Sequence, residues 1–128
     1  MGDRGAATVE LVIATPLLLL ALLTIIQFAL WSHATHVAQA AASQALAAAR
    51  VQDGSTSAGH AAGQQLLDEL AAGPLRDPHI DVTRTATSAA VSIHGEAIAV
   101  LPGVHLPVHA EAAGPLERFF GTQADAVP

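Results

Sequence analysis

The hydrophobic pattern divides the chain near residue 50. From Leu11 to Ala49 there is no Asp, Glu, Lys or Arg. Leu11 to Trp31 reads LVIATPLLLLALLTIIQFALW, 21 residues that are apolar around the whole circumference of a helix. As a helix they rise about 31 Å, close to the roughly 30 Å hydrocarbon core of a bilayer. A chain of 128 residues is too short to wrap such a segment inside a water-soluble core. The stretch also exceeds the roughly 7–15 apolar residues of a cleaved signal peptide. It predicts a transmembrane helix, with Trp31 at the interface.

The helical signal continues beyond Trp31. SHATHVAQAAASQALAAAR holds no Gly or Pro and is dominated by alanine, the best helix former. Ala34, Ala38, Ala41, Ala45 and Ala49 recur at three- and four-residue spacing and make a seam of small side chains. One helix is expected from about Ala6 to Arg50, its first half suited to lipid and its second to close packing. Asp53-Gly54-Ser55 breaks it. Ser55 to Ala72 predicts a second helix with Ala62, Leu66, Leu67 and Leu70 on its apolar face, ended by Gly73-Pro74.

Alternation then takes over. Ile80 to Thr83 and Val91 to His94 read as strands, and Gly95-Glu96 suggests a turn into Ala97–Leu101. Pro102-Gly103 has type II turn chemistry, and Pro107 makes Val104–Ala110 an edge strand. The expected class is α+β: a long N-terminal helix packed on a small antiparallel sheet of three or four strands, with a second short helix. The division expected is 1–5 leader, 6–31 span, 32–50 continuation of the helix, 51–120 outer domain and 121–128 flexible tail. Leu116, Phe119 and Phe120 are candidates for a contact surface, with packing onto the sheet as the alternative.

Composition narrows the function. The apolar fraction is 52% but aromatics are only 3%, so much of the apolar count is alanine. The net charge of −6, from five Arg against eleven acids, argues against a nucleic-acid partner. There is no Cys. Among seven His, the pairs His33/His36 and His105/His109 have no H-E-x-x-H frame, and solvated histidines are the simpler reading. Neither a nucleophile elbow nor a P-loop occurs, so no enzyme and no cofactor is expected.

Glu10 is the exception to all this blandness, an acid opening directly into the apolar run. An intramembrane carboxylate is costly and usually functional, although a helix N-terminus lowers the cost. A helix-start acid at headgroup level is the alternative. Gly5, four residues, Glu10 and an apolar helix together resemble the type IV prepilin processing motif. More closely, the segment from Arg4 to Arg50 resembles the TadE-like minor pseudopilins of tight-adherence (Tad/Flp) pilus systems. The matching positions are Arg4, Gly5, Val9, Glu10, Pro16 and AAAR at Ala47–Arg50.

The resemblance implies cleavage by a prepilin peptidase between Gly5 and Ala6, leaving Glu10 as the fifth mature residue. It also implies an α+β outer domain and assembly with other pilins or pseudopilins and the pilus assembly platform. Pro16, six residues into the span, removes one backbone hydrogen bond and predicts a helix kink, either harmless or used as a hinge. The expected location is the cytoplasmic membrane, single-pass, N-terminus inside and outer domain outside, with the pilus surface as a further destination. The alternatives are an uncleaved signal-anchored envelope protein with a protein-binding outer domain, and a soluble protein released by signal peptidase.

Overall fold

The computed structural model describes residues 2–51, 54–70 and 73–116. The expectations for Asp53, Phe119, Phe120 and the tail at 121–128 lie outside the described residues. Helix α1 (Gly2–Arg50) is continuous over 49 residues, about 73 Å, and starts before Ala6, within the stretch expected to be a leader. It is followed by α2 (Thr56–Leu70), β1 (Leu75–Arg84), β2 (Ser88–Ala97) and β3 (Pro107–Pro115). The strands form one antiparallel sheet in the order β1-β2-β3. The architecture is the expected α+β one, with three strands.

The core lies between the C-terminal half of α1, the helix α2 and one face of the sheet. Ala34, Ala38, Ala41, Ala45 and Ala49 are all fully buried, so the alanine seam is the packing face. Ile93, Val91 and Val108 supply the largest fully buried side chains. Each contributes about 1.5–3 kcal/mol of hydrophobic stabilisation. Of the seventeen buried apolar residues among those described, nine are alanine, so this core holds through close approach more than bulk.

Helix α2 starts at a capping serine, Ser55, whose Oγ accepts from Ala58 N at 3.0 Å. Its buried stripe is Gly59, Gly63 and Leu67, so of the apolar face expected only Leu67 is fully buried. Leu70 is exposed and Leu66 only half-buried. The glycines face Ala45 and Ala49 of α1, where a Cβ on Gly63 would lie 3.0 Å from Ala45 Cβ. Two helices this close gain more dispersion contact than leucine side chains holding them apart would give.

The expected turn at Gly95-Glu96 does not form: both residues are inside β2, paired with Val108 and Pro107. Gly95 is there because Leu75 Cδ1 and Arg76 O would crowd a Cβ at 2.9 and 3.0 Å. Residues 98–106 connect β2 to β3 as an irregular loop, not as the strand expected from Ala97 to Leu101. Gly103, at φ 76°, takes the left-handed turn position that Pro102-Gly103 suggested. The β1–β2 turn is instead built by Thr85, whose Oγ1 accepts from Ser88 N at 3.0 Å. Leu116 packs against the core, the simpler of its two readings.

Edge strand β3 runs alongside α1, and three helix side chains donate to its carbonyls. Trp31 Nε1 donates to Pro107 O at 3.1 Å, Gln39 Nε2 to Glu111 O at 3.1 Å and Arg50 Nε to Pro115 O at 2.7 Å. The acceptors are four residues apart, so all belong to the same side of the strand. This arrangement occupies an edge that would otherwise invite another strand. Arg50→Ala is expected to cost about 1–2 kcal/mol and to fray the Ala113–Pro115 end of β3. Thermal unfolding of the detergent-solubilised full chain reads the first effect, and amide exchange across β3 the second.

Candidate functional site

Among the described residues, none packs around most of the first half of α1. From Val9 to Phe28 the large apolar side chains are mostly exposed, Leu18 at 70% and Leu11 at 69%. This is one helix long and apolar enough to cross a membrane, and its most apolar window is covered by no other described residue. The exposed stretch rises about 29 Å, matching a bilayer core.

Local chemistry fits that setting. Thr8, Thr15 and Thr24 each donate the hydroxyl to the carbonyl four residues back, at 2.7–2.9 Å. In lipid such a hydroxyl has no water to turn to, so bonding to the preceding turn satisfies it. Pro16 lacks an N–H for Val12 O, yet α1 runs through it without a break.

Gly5, Ala6 and Glu10 lie on this bare segment, all exposed. A Cβ on Gly5 would meet nothing within 4 Å, so the backbone there is open to approach. The Glu10 carboxylate makes no hydrogen bond or ion pair with any described residue. The helix thus offers an unpaired acid among apolar side chains, one turn from Ala6.

At the other end of the exposed stretch is a site that the sequence reading missed. Gln27 is 3% exposed and the one buried polar side chain among the described residues. Its Nε2 donates to Ile98 O at 3.0 Å, while Oε1 accepts from Val100 N at 2.8 Å and Leu101 N at 3.4 Å. One carboxamide therefore clamps the β2–β3 loop to α1. A single amide inside an uncharged apolar run was the available signal, since such a group demands partners.

The histidines are exposed, but an edge strand over Val104–Ala110 would have put His105 and His109 on one face, and the structure does not. His105 lies in the β2–β3 loop and shares no strand face with His109. His79, His94 and His109 instead occupy one cross-strand row on the solvent face of the sheet. The His94 and His109 rings are 4.4 Å apart, and His109 Nε2 lies 3.0 Å from Glu111 Oε1. Among the described residues no three His, Asp or Glu converge to hold a metal ion. His33 and His36 are exposed on α1.

Residues 5–47 match the family described as TadE-like protein. No curated protein and no solved structure matches the chain. The matched region runs from Gly5 through the lipid-type segment and the alanine seam, with α2 and the sheet outside it. Residues 5–47 are thus similar to the TadE-like family, and they include the one helix among the described residues that is long and apolar enough to cross a membrane.

Proposed function

We propose that this protein is a minor pseudopilin of a Tad/Flp-type pilus assembly or related secretion complex, cut by a prepilin peptidase between Gly5 and Ala6. The observation that carries the reading is Glu10: an unpaired carboxylate on a bare apolar helix, five residues after Gly5. Cleavage would remove the first residues of α1 and create an α-amine on Ala6, one helical turn from that acid. A new amine at a helix start is opposed by the macrodipole, and a carboxylate within one turn offsets this. In apolar surroundings the attraction is far stronger than at a wet surface. Glu10 of one chain can also meet the Ala6 amine of a neighbour, which would set the register between helices entering an assembly.

The orientation that follows is N-terminus inside, with the sheet and α2 outside the cytoplasmic membrane. Residues 11–128 carry Arg50, Arg76, Arg84 and Arg118 against nine acids, so nothing resembling a cytoplasmic basic anchor lies beyond the span. Other pilins and the assembly platform are the partners in this reading, with lipid around residues 6–31.

Mass spectrometry of the mature N-terminus, in cells with and without the peptidase, tests the proposal. A chain starting at Ala6 only when the peptidase is present is expected. Retention of Met1 or Gly2 in both strains would instead support an uncleaved signal anchor. Glu10→Ala is expected to leave membrane insertion and the outer domain's melting unchanged, while recovery in sheared pili or co-purified assembly complexes falls at least about tenfold, the equivalent of 1.4 kcal/mol. Undiminished recovery of the variant would remove Glu10 from assembly.

A further inference from the structure

We infer that residues 98–104 of the β2–β3 loop are a second membrane contact, seated in the outer interfacial layer of the bilayer beside the anchor helix. The inference rests on reading residues 6–31 as a membrane span. Its partner is the lipid surface itself.

The depth of the loop is set by α1. The bare apolar part of the helix ends at Phe28, about 29 Å along from Val9, which is the thickness of the hydrocarbon core. Gln27, within one residue of that boundary, is bonded to Ile98, Val100 and Leu101. Trp31, one turn further out, is bonded to Pro107 where the loop rejoins the sheet. The loop is thereby fixed at the level where the hydrocarbon gives way to headgroups, whatever the tilt of the helix.

Its composition suits that level. From Ala97 to Ala110 there is no Asp, Glu, Lys or Arg. Val100 is 38% exposed, Pro102 and Gly103 are exposed, and Leu101 and Val104 are half-buried. An apolar tip left facing water has no internal reason to be there, whereas beside a lipid-facing helix it extends the same surface.

The loop backbone meets the same demand. Irregular chain near lipid must satisfy its polar groups within the protein. Besides the Gln27 bonds, Ala97 N donates to Leu106 O, Ile98 N to Pro74 O and Val104 N to Leu101 O. Proline at 102 has no donor to satisfy. Charge resumes one rung into the sheet, where Arg76 pairs in register with Glu96 beside the concavity behind the loop. That order is apolar tip first and charged rung second, the sequence of layers a headgroup region requires.

The chain has no cysteine, so single labels are straightforward. Nitroxide labels on Val100→Cys, Pro102→Cys, Ile25→Cys and Ala86→Cys would be compared in the full chain, reconstituted in phosphatidylcholine–phosphatidylglycerol vesicles. The readout is relaxation by oxygen, enriched in lipid, against relaxation by a water-soluble nickel chelate. Positions 25, 100 and 102 are expected to favour oxygen several-fold over position 86, in the β1–β2 turn at the far end of the sheet. Aqueous behaviour at 100 and 102 with lipid behaviour at 25 would overturn the loop contact and leave the anchor standing. Aqueous behaviour at 25 would overturn both.

Discussion

Gly63→Leu is expected to unfold the outer domain at a temperature well below that of the parent chain. Two effects of opposite sign meet at this position. Glycine inside a helix costs about 1 kcal/mol relative to alanine, so a larger residue gains propensity. Against this, a Cβ at Gly63 would lie 3.0 Å from Ala45 Cβ and 3.2 Å from Ile80 Cδ1. Alanine asks those neighbours to give by a few tenths of an ångström, and the two effects nearly cancel. Leucine adds three further carbons where α1, α2 and β1 already meet. Overpacking of this kind costs about 1–3 kcal/mol and sometimes more, and here the rigid backbone of α1 leaves little room for relief. A net loss of about 2 kcal/mol corresponds to roughly 8–16 °C in a domain of this size. Circular dichroism of the full chain in detergent checks it, with Gly73→Ala as the control because a Cβ there meets nothing within 4 Å. A melting temperature unchanged by Gly63→Leu would mean that α2 is not held against α1 as described.

The same crossing explains what the chain reveals about itself and what it conceals. The alanine seam of α1 was legible because a helical repeat of small residues, in a segment without charge, has one economical use. Its counterpart on α2 was not legible. Gly59 and Gly63 carry no hydrophobic signal, so the periodic leucines drew attention to a face that is only partly buried. Gly95 misled for a related reason: a glycine beside a glutamate reads as a turn, yet here it admits the close approach of Leu75 and Arg76. Local sequence reports turn chemistry and periodicity. It does not report which backbone will come within 3 Å from elsewhere in the chain.

The two ends of the apolar segment show the same division. Gly5 and Glu10 could be proposed from sequence because the motif they resemble is local, a spacing of residues along one helix start. Gln27 was passed over because its partners, Ile98, Val100 and Leu101, are more than seventy residues away. The row of His79, His94 and His109 was equally hidden, since it exists only through strand register.

Gln27→Leu is expected to free the β2–β3 loop while the rest of the domain stays folded. The substitution keeps volume and apolar character on α1, so the helix itself has no reason to change. It removes the donor for Ile98 O and the acceptor shared by Val100 N and Leu101 N. Each buried group left without a partner costs about 1–3 kcal/mol. The loop limits the damage by opening, so the effect is expected to settle at about 2–4 kcal/mol, borne locally. Amide exchange at Val100 and Leu101 would then quicken by about 30- to 1000-fold, with the core amides of Val91 and Ile93 little altered. Gln27→Glu separates donor from acceptor. An ionised carboxylate still accepts from Val100 and Leu101 but faces Ile98 O with a second acceptor, whereas the neutral acid restores the missing donor. The closed loop favours the protonated form, so the folded-state pKa lies above the unfolded value. Loop stability in this variant is therefore fully present below the unfolded glutamate value of about 4.3 and is lost as pH rises through the folded one. Exchange at Val100 that is unchanged in Gln27→Leu and insensitive to pH in Gln27→Glu would show that the Trp31–Pro107 bond alone holds this edge of the domain to the helix.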